Sequence, residues 1–274
     1  MLGAPRLLLC AAALLGSATV CVGQPVPLAT DWDATFEAAK QRNVPVLFLL
    51  GRDGKTPWTA WFENPKLANY LADRVLVIVG HRGGGHAPAK HRDPKTGEEV
   101  ERCPVYPQLT CSVHKRFYDE KAGYFDYEEL PAGFLLRPDG KQAAAGVAAL
   151  SAKALQQKIE EVQFALGEGV FASEIARLER GLAKGDAYLA KGKFKAARKI
   201  YEKPLKKRLK AHLERIVRGR LEALDEAANE AIEAARDLPP KKRHETLKRI
   251  ARELKGRAPE ERARRVLAEV EGGS

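Results

Sequence analysis

Two apolar runs of strand length organise the first half of the chain. Val44 to Leu50 and Arg74 to Gly80 are hydrophobic at nearly every inner position, the pattern of strands buried on both faces of a sheet. The first is preceded by a helix-like stretch, Trp32 to Lys40. Between the two runs, Asn64-Pro65-Lys66-Leu67-Ala68-Asn69-Tyr70-Leu71-Ala72 places Leu67, Tyr70 and Leu71 on one helical face, with Asn64 as the cap and Pro65 at the first helical position. Strand, helix, strand in this order predicts a parallel pair joined by a right-handed crossover. From His81 to Leu130 the pattern fades into a polar segment longer than an ordinary loop. Pro131 to Lys141 then predicts a strand and an Arg-Pro-Asp-Gly turn, from which Gln142 to Ala149 returns antiparallel. Ser151 caps a helix carrying Leu155, Ile159, Val162 and Leu166.

Beyond Leu166 every pattern is helical. Leu205, Leu209, Leu213, Ile216, Val217, Leu221 and Leu224 step by three and four, and the series continues through Ala228 and Ile232 to Leu238, where Pro239-Pro240 stops it. Lys241 to Lys255 and Pro259 to Val270 predict two more helices, separated by Gly256. The expected organisation is a linker over 24–30, an α/β domain over 31–166 with an insertion at 81–130, and an all-α domain over 167–274.

Charge sharpens that boundary. The 274 residues carry a net charge of +11, of which +1 falls on 1–166 and +10 on 167–274. Between Lys193 and Arg220 stand 12 Lys and Arg against two acids. Such a stripe reads as a solvated helix surface or, alternatively, as a patch for an anionic envelope surface. No aromatic interleaving accompanies it, which disfavours nucleic acid. The first 23 residues form a charged start at Arg6, a short apolar core and small residues up to Gly23, a secretory signal expected to be cleaved there. The expected location is therefore periplasmic or extracellular, with no membrane-spanning segment in the mature chain. Cys10 and Cys21 fall in the signal, leaving Cys103 and Cys111 as an even pair in an oxidising compartment.

The order Trp32-x-x-x-Phe36-x-x-Ala39, strand Val44 to Leu50, Asn-Pro-Lys-Leu-Ala helix, and Pro131 followed by strand and Pro-Asp-Gly-Lys turn resembles the thioredoxin-like superfamily, in particular its exported bacterial members. The resemblance covers about residues 31–166. It implies a central mixed sheet flanked by helices, a cis-proline at Pro131, and a redox Cys-x-x-Cys falling on Gly51, Arg52, Asp53 and Gly54. None of these four is a cysteine, so disulfide exchange has no nucleophile at the usual place. What the resemblance leaves is a peptide-binding groove beside Pro131. Downstream, Ala187, Tyr188, Gly192, Phe194, Ala197 and Tyr201 look like the middle of a tetratricopeptide repeat, in which small and aromatic residues interlock two antiparallel helices.

The remaining chemistry lies between His81 and His114, which holds His81, His86, His91, His114, Cys103 and Cys111. Three readings stay open. Cys103 and Cys111 form a structural disulfide closing a short loop; or thiols and histidines bind zinc or copper, which favour such ligands; or the cysteines are a relocated redox pair. Gly83-Gly84-Gly85 lacks the context of a phosphate loop. No cofactor and no catalytic residue is expected from the sequence. The favoured expectation is a non-catalytic protein or peptide interaction module. The alternative is an oxidoreductase or metal-binding protein built on Cys103, Cys111 and the histidines.

Overall fold

The structure, a computed structural model, describes residues 26–52, 56–82, 88–92, 97 and 99–272. The expected signal over 1–23, together with Asp53, Gly54 and His86, lies outside these residues.

The chain opens with α1 (Trp32–Arg42), capped by the Asp31 carboxylate, which accepts the Ala34 N–H at 2.8 Å. It stops at Asn43, whose φ of 52° is the left-handed conformation that asparagine tolerates. The strand β1 (Val46–Arg52) leads to α2 (Thr59–Glu63) and α3 (Pro65–Arg74), the latter capped by Asn64 accepting from Lys66 and Leu67. Next, β2 (Leu76–Arg82) pairs with β1 in parallel. Both strands run about two residues past their apolar runs, because a ladder continues on backbone hydrogen bonds whatever the side chains are. Gly51 and Arg52 therefore lie in β1, opposite His81 and Arg82.

The segment expected to be irregular holds regular elements among its described residues. It contains the hairpin β3 (Ala89–Arg92) and β4 (Glu99–Arg102), then α4 (Cys111–Lys121). The helix α4 buries only His114 and Phe117, too thin an apolar stripe to declare itself. After a cis Leu130–Pro131 peptide come β5 (Ala132–Leu136), β6 (Gln142–Ala144) and α5 (Ala152–Leu166). The returning strand β6 is three residues long, shorter than the expected 142–149. The sheet order is β2-β1-β5-β6, with β5 antiparallel to both neighbours.

Side-chain alternation along β1 divides the sheet's two faces. Leu47 and Leu49 join Trp58, Trp61, Leu71, Val77, and Leu155 on one side. Phe48 and Leu50 join Phe36, Ile78, Phe117 and Phe134 on the other. Each such side chain, fully buried, contributes about 1.5–3 kcal/mol.

A second core belongs to α6 (Ala172–Leu189), α7 (Phe194–Leu205), α8 (Ala211–Arg236), α9 (Pro240–Glu253) and α10 (Ala258–Gly272). Tyr201, Val217, Leu224, Ile232, Leu247 and Val266 are among its members. The leucine series is split: Leu205 closes α7, Leu209 lies in the connection, and α8 starts at Ala211. Pro204 is tolerated inside the last turn of α7. The helices α6 and α7 form a hairpin around Gly192, which has a φ of 63°. Tyr201 is fully buried in it and donates to Asp186 at 2.7 Å. A Cβ on Gly185 would stand 2.4 Å from the Tyr201 ring, so only glycine admits this tyrosine. Among the described residues no helix is long and apolar enough to cross a membrane.

Candidate functional site

The parallel strands β1 and β2 end side by side at Arg52 and Arg82, one residue past the Gly51–His81 pair, at the end of an α/β sheet where ligands usually bind. One step beyond the Leu50–Ala132 pair, Gly51 on β1 and Pro131 before β5 stand at the same end. Pro131 itself is exposed. Gly51 has no room for a side chain: a Cβ there would meet Thr56, Trp58 and His81 at 3.0, 3.1 and 3.2 Å. The position that the sequence reading aligned with a redox cysteine is thus filled from above by other residues. Arg52 is exposed, and its carbonyl accepts from His81 Nε2 at 2.8 Å.

Cysteines reach this region from the insertion instead. After β4 the chain makes a tight loop, with the Cys103 N–H bonded to the Leu109 carbonyl and the Leu109 N–H to that of Tyr106, both at 2.8 Å. Gln108 ties the loop to the start of the chain, donating to the Val26 carbonyl and accepting from the Leu28 N–H. The loop buries Cys103 completely and turns the Tyr106 N–H onto its sulfur at 3.3 Å. Cys111 then opens α4, and His114 follows three residues on, which puts both on one helical face. His114 is buried and Cys111 is half-buried.

The result is a cluster of two thiols and one imidazole. The Cys103 and Cys111 sulfurs and a His114 ring nitrogen lie within 4.8 Å of one another. The two sulfurs are not joined to each other in the structure. A disulfide requires sulfurs about 2.05 Å apart. Burial pushes the Cys111 thiol above its ordinary pKa, helped by the adjacent Cys103 sulfur and by Glu101. A thiol in that condition is a weak nucleophile unless a cation compensates its charge.

Aromatic rings join the cluster to the strand ends. The Tyr106 hydroxyl accepts from Trp58 Nε1 at 3.1 Å and bonds Thr56; burial, opposed by these bonds, raises its pKa. The His114 ring meets His81 edge-on at 5.4 Å and Tyr106 at 5.8 Å. Of the four candidate histidines, then, His114 is grouped with the thiols and His81 stands behind it. His91 lies in β3, while its side chain and all of His86 fall outside the described residues. Thr56 and Tyr106 carry no signal of a site in the sequence, while Trp58, which the sequence leaves open to a recognition role or to the core, is fully buried. The available signal was Cys111-x-x-His114, legible only once the segment is known to be helical.

Neither a scan against protein-family models nor a search of curated proteins returns a match to this chain.

Proposed function

We propose that this is an exported metal-binding protein, with a thioredoxin-like first unit whose chemistry has moved from the end of β1 to Cys103, Cys111 and His114. The convergence of those three donor atoms within 4.8 Å carries the reading. Two sulfurs and one imidazole are the donor set of zinc and of monovalent copper. A tetrahedral ion with metal–sulfur bonds of about 2.3 Å sets its ligands roughly 3.5–3.8 Å apart, so closing the site needs a movement of at most about 1 Å. The thiols release protons as the ion binds, and its charge relieves the repulsion between the two sulfurs. Half-buried Cys111 gives the ion its way in. The thioredoxin-like assignment is supported by the sheet order, by antiparallel β5 directly after Pro131, and by helices on both faces. Export is supported by the leader pattern at 1–23.

One observation favours a second reading. Cys111 stands at the first turn of a helix with another thiol beside it, the layout of a dithiol exchange pair. A peptide-binding role beside Pro131 rests on the resemblance alone.

The deciding experiment is anaerobic titration of the full chain with Zn2+ and, separately, Cu+, each against a competing chromophoric chelator. One ion retained per chain, with affinity falling at least 100-fold in Cys111→Ser and in His114→Gln, is the expected result. Retention unchanged in both variants would overturn it. So would no retained ion with thiols that exchange readily with glutathione, and that outcome would establish the dithiol reading instead.

A further inference from the structure

The helical unit holds a second feature, independent of the thiol centre. An open groove of about 920 Å³ runs between α6, α7 and the start of α8. Its floor is apolar, made by Leu178, Tyr188, Ile200, Pro204, Leu209 and Leu213. Around it stand five cations: Arg177, Lys184, Lys199, Lys203 and Lys207. None of the five takes part in an ion pair among the described residues, whereas many arginines elsewhere in this unit do. Arg198 is paired with Glu202, Arg218 with Glu214, Arg257 with Asp225, and Arg264 with Glu260. The one acid of the groove, Glu174, is already held by Lys210 at 2.9 Å.

Gly181 adds an observation of a different kind. It sits in the middle of α6 on the groove wall, where glycine costs a helix about 1 kcal/mol relative to alanine. Unlike Gly185 on the same helix, it faces nothing: a Cβ there would have no neighbour within 4 Å. The missing side chain leaves room that no described residue uses. From Glu174 to Tyr188 the α6 wall is about 21 Å long, the length of a helical segment of some 14 residues.

We propose that this groove binds an acidic amphipathic segment of a protein partner, its apolar side chains on the floor and its carboxylates against the five cations. A concave site with an apolar floor suits a segment of chain better than a flat anionic bilayer, which would meet only the rim.

The test uses the full chain and three labelled 14-residue peptides: one of Glu and Leu with the leucines on one helical face, one with Lys for Glu, and one with Ser for Leu. Fluorescence anisotropy should show binding of the Glu/Leu peptide alone. Affinity should fall at least tenfold in Lys199→Glu/Lys203→Glu/Lys207→Glu and in Gly181→Leu, which fills the groove while favouring the helix. No binding of the Glu/Leu peptide, or equal binding by Gly181→Leu, would overturn the proposal. Sedimentation with phosphatidylglycerol vesicles that is lost on charge reversal but kept in Gly181→Leu, with no peptide bound, would assign the cations to a lipid surface instead.

Discussion

His212 shows how one side chain can make the fold sensitive to pH. It is the second residue of α8, it is buried, and its Nδ1 has no hydrogen-bond partner among the described residues. Burial, with the positive charges of Arg215 and Arg42, pushes its pKa below the ordinary value. Below about pH 6.5 the unfolded chain therefore binds a proton that the folded chain refuses, and stability falls as the solution is acidified. Thermal melts between pH 7.5 and 5 should show a falling Tm whose slope is shallower in His212→Gln. Parallel curves for the two proteins would assign the pH response to other groups.

At the scale of elements, the α6–α7 hairpin depends on which glycine is changed. Gly185→Ala forces a methyl group into the buried Tyr201 ring and should cost about 1–3 kcal/mol. Gly181→Ala meets open space and should stabilise by up to about 1 kcal/mol. Opposite signs of the Tm shift in the two variants are the check. The sequence announces this hairpin clearly, because Tyr188, Phe194, Ala197 and Tyr201 combine aromatic and small residues at helical spacing. The strands β1 and β2 and the capped helix α3 were legible for the same reason: their apolar periods are strong. What stayed hidden was α4, where a histidine occupies half of the buried face and interrupts the period. That single helix concealed the site, since Cys111 and His114 come together only on its surface. The filling of the space over Gly51 by Thr56, Trp58 and His81 was equally out of reach. Contacts between residues 51 and 81 belong to register and not to local pattern.

At the scale of the whole molecule, the two units are fastened at the end of α1. The Arg42 guanidinium donates to the Val170 and Asp73 carbonyls, and its own carbonyl accepts the Val170 N–H at 2.7 Å. Asn43 Nδ2 donates to the Leu166 and Glu168 carbonyls. Lys210 reaches the Gly169 carbonyl from the helical side. Each partner left unsatisfied costs about 1–3 kcal/mol where it stays buried. Arg42→Ala combined with Asn43→Gly, which keeps the left-handed backbone, should split a single calorimetric unfolding transition into two. A transition that only shifts to lower temperature would mean that the units stay coupled by other contacts. At the far side of the sheet the border strand β2 is covered by residues 28 and 29, through the Leu28–Val77 bridge and the Ala29 N–H on the Val77 carbonyl at 2.8 Å. Gln108 holds the same short stretch in place. A protease that trimmed the chain past residue 30 would strip that cover from β2. The exposed rim would then offer its open backbone groups to the same rim of another trimmed molecule, and the product, having also lost Val26 and Leu28 from the first core, would assemble into aggregates although the helical core was untouched.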